Sequence, residues 1–303
     1  MTKMSKTIVF FGSGPVAAAS LEFLHKHFSI EAVVTKTKPA HHKGSAPVEE
    51  FAKEKNLPTH YANSMSELDN VVGTNQFSSP LGIIIDYGVI VSQQTIDYFP
   101  LGIVNSHFSL LPEWRGADPI TFSLLSGQKK TGVSLMIIEP DLDTGKLIAQ
   151  RSLAIRPADT IQTLTDSLIQ LSNQLLLEFI PPYLSSDLKP RNQSHPDRAT
   201  YSRKLTKADG IIDWQKPAEQ IEREIRAFLG WPASRTQLAN KDVIITSVRV
   251  LTDLGESGKA VVKDKNLVIF CGKNALIIDS LKPAGKKEMS GAAFVVGHKD
   301  LLI

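Results

Sequence analysis

An apolar, β-branched and aromatic run at residues 7–11 gives way to Gly12, Ser13 and Gly14, then to an alanine- and leucine-rich stretch. A strand, a turn and a helix are therefore expected within TIVFFGSGPVAAASLEFL. Further apolar runs follow at IEAVVT (30–35), LGIIIDYG (81–88) and GIVNSHFS (102–109), separated by helix-compatible stretches such as PVEEFAKEKN (47–56). Alternation of this kind predicts βαβ units around a parallel sheet, an α/β class with a Rossmann-like first domain. TGVSLMIIEP (131–140) and KLIAQRSLAI (146–155) read as two more strands. Residues 160–184 carry apolar positions at helical spacing, which Pro181 and Pro182 are expected to stop. The first domain is thus expected to cover 1–184.

Residues 185–209 turn polar, with Pro190 and Pro196 among Lys189, Arg191, Arg198, Arg203, Lys204 and Lys207, and read as a basic linker. PAEQIEREIRAFLG (217–230) is an amphipathic helix ended by Gly230 and Pro232. Short β-rich runs then recur at 242–251, 258–264, 266–272 and 274–283, each bounded by Gly, Asp or Asn. A small β-barrel of OB-like type is expected over 210–303.

Length agrees with two domains, since 303 residues exceed the usual single-domain size. With 42% hydrophobic and 21% charged residues the chain has globular composition, which excludes a disordered protein. A net charge of +3 permits a polyanionic partner without requiring one. The single cysteine, Cys271, cannot close an internal disulfide, and no run reaches the roughly 20 apolar residues that span a bilayer. A soluble, cytoplasmic protein is expected, without a membrane partner.

Two segments could carry chemistry. In GIVNSHFSLLPEWRGADPI (102–120) an apolar strand runs into a polar loop, and strand ends are where open α/β sheets place their sites. Asn105 and His107 stand two apart, so on extended backbone both project to one face and could together hold an oxyanion. The alternative is a hydrogen-bonded core histidine beside a turn asparagine. EPDLDTGKLI places Asp141 and Asp143 in a turn before a strand, where carboxylates also bond local amides. Gly12-Ser13-Gly14 lacks the third glycine of a dinucleotide fingerprint and reads as a tight turn. His41 and His42 have no companion ligands, so no metal is expected.

Taken together, Asn105-x-His107, the Ser109-Leu110-Leu111-Pro112 loop, Trp114-Arg115-Gly116, Thr131-Gly132-Val133 and the Leu142-Asp143-Thr144-Gly145 turn resemble the folate-dependent formyltransferase family. That resemblance implies 10-formyltetrahydrofolate as donor and Asn105, His107 and Asp143 as catalytic residues. Ser109, Leu110, Leu111, Pro112, Ile84, Asp86, Tyr87, Gly88 and Asp141 would line the folate pocket. TYSRKLTKADGIIDW (200–214), residues 221–232 and SLKPAGKKEMSG (280–291) are similar to the carboxy-terminal half of family members that act on initiator methionyl-tRNA. The implied partner is that RNA, met by Lys36, Lys38, Lys43, Arg203, Lys204, Lys207, Lys286 and Lys287, with no DNA partner and a monomeric enzyme expected. A formyltransferase for an amino-sugar nucleotide, or a non-catalytic RNA-binding protein on the same scaffold, are the alternatives. Asp86, Phe108, Glu113 and Asp118 depart from the family pattern, and the basic segment 36–48 is short and lacks arginine.

Overall fold

The computed structural model describes residues 7–38 and 44–298, so His41, His42 and Lys43 lie outside the described residues. The chain forms two compact units. One is drawn from Met1–Pro119, Lys130–Ala154 and Thr165–Ser202, the other from Ile120–Lys129, Ile155–Leu164 and Arg203–Ile303.

Strands and helices alternate through the first unit: β1 (Thr7–Phe11), α1 (Pro15–His25), β2 (Ser29–Thr35), α2 (Pro47–Glu54), β3 (Thr59–Tyr61), α3 (Met65–Asn75), β4 (Gly82–Ile84), α4 (Gln93–Tyr98) and β5 (Ile103–His107). After β6 (Arg115–Gly116) and α5 (Pro119–Ser126) come β7 (Lys130–Ile137) and β8 (Leu147–Ala154). Seven strands form one sheet in the order β3-β2-β1-β4-β5-β7-β8. The first five run parallel, and β7 and β8 are antiparallel additions. Four consecutive side chains of β1, Ile8 to Phe11, are fully buried, as a strand covered on both faces requires. The strand order reverses between β1 and β4, and in such sheets ligands bind beyond the carboxyl ends at that point.

Helix α6 (Ile161–Leu184) runs through Pro181 and Pro182 instead of stopping there. Each proline removes one amide donor, but the carbonyls this leaves belong to the exposed Leu177 and Glu178, where water can bond them. Burial of Ile180, Tyr183 and Leu184 holds the final turn. The polar segment that follows is tied to the first unit: Arg191 bridges Leu147, and β9 (Tyr201–Ser202) pairs in parallel with β6.

The second unit is an antiparallel sheet of β10 (Ser234–Leu238), β11 (Lys241–Leu251), β12 (Ala260–Lys263), β13 (Asn266–Phe270) and β14 (Ala275–Pro283). Their order is β10-β11-β14-β13-β12, with β15 (Met289–Ser290) added to β14. The apolar stripe of α7 (Ala218–Ala227) supplies Ile221 and Ile225, and α8 (Gly291–Val296) supplies Phe294. They share one core with Ile245, Leu267, Ile269, Leu276 and Ile278. Arg223 donates to the Leu125 carbonyl and Arg226 to that of Asp159, which explains why the pieces 120–129 and 155–164 belong to this unit. Among the described residues no helix is long and apolar enough to cross a membrane.

Candidate active site

The two-residue spacing on β5 sends Asn105 and His107 to one face. Ser106, between them, turns to the other and shares a hydrogen bond with Ser172 of α6 at 2.7 Å. Register places Asn105 between Ile84 of β4 and Met136 of β7, and His107 against Ser134. The Asn105 carboxamide is half-buried and makes no hydrogen bond to any described residue. Such a group is a donor left available for a ligand.

His107 is 6% exposed, its ring held at Nε2 and turned toward a carboxylate at Nδ1. Nε2 lies 2.9 Å from the Trp114 carbonyl. A carbonyl only accepts, so Nε2 carries the proton. Nδ1 then faces the Asp143 carboxylate, with Oδ2 at 3.7 Å. That separation exceeds a direct hydrogen bond, so ring and carboxylate face each other without being bonded. Asp143 sits in the left-handed region at φ 52°, and its Oδ2 accepts from the Gly116 amide at 2.7 Å. Carboxylate and imidazole are thus brought together from two separate stretches of chain, with Asn105 on the same face of β5 as His107.

The loop after β5 is held from below by Ser134. Its Oγ donates to the Ser109 carbonyl at 2.7 Å and accepts from the Leu111 amide at 3.1 Å, while Gln150 Nε2 donates to Ser134 Oγ and to the Leu111 carbonyl, both at 2.9 Å. Ser109 Oγ donates to the Glu113 carbonyl, so the hydroxyl serves the turn. Leu111 packs on Met136 and Leu147, Leu110 and Pro112 are half-buried, and Asp141 is exposed. Ile84 and Tyr87 point into the core, where the Tyr87 hydroxyl donates to the Ala62 carbonyl. Burial pushes that phenol well above its ordinary range, and both side chains are committed to the core.

Asp86 lies at the carboxyl end of β4, at the strand-order reversal, with its backbone carbonyl accepting from the Ser13 amide at 3.2 Å. A Cβ on Gly14 would stand 1.9 Å from Asp86 Oδ2, so the carboxylate occupies the space a side chain there would need. The residue reaches solvent, yet protein crowds its carboxylate. Burial raises the carboxyl to about 6, Lys36 opposes the rise and Asp118 adds to it. An acid raised in the folded state contributes stability at low pH that is lost as pH rises through about 6. Asp86→Asn is therefore expected to raise Tm relative to wild type more at about pH 7.5 than at about pH 4.5. Equal differences at both pH values would contradict the raised acid; solvent contact limits the size of the effect.

The cations singled out for RNA divide. Lys38, Lys204, Lys207, Lys286 and Lys287 are exposed, whereas Lys36 is half-buried beside Gly88 and Asp86. Arg203 is already paired with Asp209, whose carboxyl it holds far below the usual range. Gln193, Ser134 and Gln150, by contrast, brace the site without belonging to any motif, and Thr200 and Ser202, from the 200–214 segment likened to the carboxy-terminal half, brace it as well. Thr200 Oγ1 accepts from the Trp114 amide at 2.9 Å, and Ser202 Oγ donates to the Arg115 carbonyl at 3.3 Å.

Residues 5–180 match the formyl transferase family model, and 204–299 match the model of the formyl transferase carboxy-terminal domain. The methionyl-tRNA formyltransferase of Myxococcus xanthus is 32% identical, with 96% of this chain and 95% of that protein covered. The Akkermansia muciniphila enzyme of the same name is 32% identical with 97% of each covered. Among solved structures, an N-formyltransferase from Helicobacter canadensis in complex with folinic acid and dTDP-3-aminofucose superposes with a TM-score of 0.68 at 18% identity. It covers 91% of this chain and 99% of that one. HypX from Aquifex aeolicus in complex with tetrahydrofolic acid gives 0.65 at 14% identity, over 97% of this chain and 48% of that one. With both of its parts matched and relatives spanning nearly its whole length, this chain belongs to the formyl transferase family.

Proposed function

We propose that the chain transfers the formyl group of 10-formyltetrahydrofolate to the amino group of methionine on initiator methionyl-tRNA, and so acts in translation initiation. The observation that carries this reading is the similarity to methionyl-tRNA formyltransferases over both parts of the chain, joined to the Asn105, His107 and Asp143 geometry. Folded relatives with tetrahydrofolic acid or folinic acid bound support a folate donor. Leu142, exposed although apolar, stands beside Asp143 and offers a face to an aromatic ring. The backbone of Ser109, Leu110, Leu111 and Pro112, with Ile84, Asp86, Tyr87, Gly88 and Asp141, forms the rest of the folate wall.

Attack of an amine on a formyl carbon produces a tetrahedral carbon bearing an oxyanion. Asn105 Nδ2 donates one hydrogen bond to that oxygen, and such a donor contributes about 3–4 kcal/mol to the transition state. Because Nε2–H is committed to Trp114, the imidazolium of His107 donates the second bond through Nδ1. Asp143 faces that edge of the ring and takes the amine proton through a water. Collapse of the oxyanion breaks the bond between the formyl carbon and the donor nitrogen, the proton taken from the amine passes to that departing nitrogen, and no covalent enzyme intermediate is needed, which leaves Ser109 to its turn. The exposed Lys38, Lys204, Lys207, Lys286 and Lys287 supply phosphate contacts.

Purified protein incubated with 10-formyltetrahydrofolate is expected to formylate charged initiator tRNA and to leave an amino-sugar nucleotide unmodified. Lys286→Glu with Lys287→Glu should weaken tRNA binding by about tenfold or more and flatten its salt dependence. Formylation of the sugar nucleotide alone would overturn the acceptor assignment, and an unchanged salt dependence would remove these two lysines from the RNA surface.

A further inference from the structure

Gln193 comes from the polar segment after α6, carries no motif, and is 7% exposed. Its Nε2 donates to the Asp143 carbonyl at 2.7 Å and to the Gly145 carbonyl at 3.0 Å, which uses both amide hydrogens on the aspartate turn. Its Oε1 accepts from Arg115 at 2.8 Å. The orientation of the amide follows from chemistry, since a guanidinium only donates and the two carbonyls only accept.

Arg115 itself is 6% exposed, forms no ion pair among the described residues, and has a buried Nε without a partner. A cation so placed is costly unless its remaining bonds are kept, so Gln193 is doubly required. It joins the two turns that hold the reacting edge of the site. The Arg115 turn contributes the Trp114 carbonyl to His107 and the Gly116 amide to Asp143, and the other turn is Asp143's own.

We infer that Gln193 is a positioning residue for formyl transfer, setting the Asp143 carboxylate against His107 Nδ1 by linking the Arg115 turn to the aspartate turn. This rests on the role proposed above for Asp143. A displacement of about 1 Å in a reacting group lowers turnover by about 100-fold. Leucine at 193 keeps the volume and removes all three bonds. Glutamate keeps an acceptor for Arg115, now as an ion pair, but turns an oxygen against the two carbonyls.

Gln193→Leu, Gln193→Glu, Asp143→Ala and the double variant Gln193→Glu/Asp143→Ala are to be compared in the full-length enzyme for kcat, both KM values and Tm. Gln193→Glu is expected to lower Tm less than Gln193→Leu does, to change each KM less than about threefold and to lower kcat by about 10- to 100-fold. In the Asp143→Ala background the same substitution should cost nothing further, because its effect passes through Asp143. Gln193→Leu should match the loss in kcat with a lower Tm. Near-normal turnover for Asp143→Ala would remove the catalytic reading itself. A slow Asp143→Ala enzyme that Gln193→Glu slows again by its full factor, or a Gln193→Glu enzyme with unchanged kcat, would overturn the positioning role.

Discussion

His107→Ala is expected to reduce kcat for formyl transfer by about 100- to 10,000-fold while the protein stays folded. The ring is the piece of the site with both edges assigned: Nε2–H is held by the Trp114 carbonyl, and Nδ1 is turned toward Asp143 at 3.7 Å. Its removal takes away the second donor to the oxyanion and the partner of the carboxylate. Asn105→Ala should cost about 100- to 1,000-fold, as loss of a single oxyanion donor does. The Asn105 amide has no bond to any described residue, so its loss leaves no buried group unpaired and should hardly move Tm. Single-turnover rates and thermal melts on the two variants decide the matter. A folded His107→Ala enzyme with near-normal rate would remove His107 from the chemistry.

Gly116→Ala should be almost as damaging, although the residue has no side chain to lose. Its φ is +112°, and an added Cβ would lie 2.2 Å from the Ser202 carbonyl oxygen, which is backbone and cannot swing aside. Relief requires β6 and β9 to part. The Gly116 amide is what Asp143 Oδ2 accepts from at 2.7 Å, so the clash is transmitted to the carboxylate one bond away. A fall in kcat of about 100-fold or more is expected, together with a lower Tm. Wild-type kinetics in Gly116→Ala would mean that the β6–β9 pairing does not support the site.

Much of the molecule could be read from local pattern. The period of two on β5 placed Asn105 and His107 on one face, and the turn at 141–145 placed Asp143 before β8, because both depend on residues close in sequence. The alternation of strands and helices likewise predicted the sheet, since each element's burial is written in its own apolar spacing. What local pattern could not supply was the bracing. Gln193 reaches Asp143 across 50 residues, Thr200 reaches Trp114 across 86, and neither contact has a periodicity or composition to announce it. The polar run holding both residues looked like a linker for the same reason: its order comes from distant backbone partners rather than from an apolar face. The prolines of α6 misled in the opposite sense. Their rule is sound for a helix interior, but here they fall in a last turn fastened by Ile180, Tyr183 and Leu184. Asp86 was legible as a departure, and its crowding over Gly14 was not.

The most direct test of the central claim is a crystal structure of the full-length enzyme with an unreactive formylfolate analogue bound. The formyl oxygen is predicted to lie about 3 Å from both Asn105 Nδ2 and His107 Nδ1, with the formyl carbon open toward Asp143. A formyl group bound away from these three side chains, in an otherwise ordered complex, would contradict it.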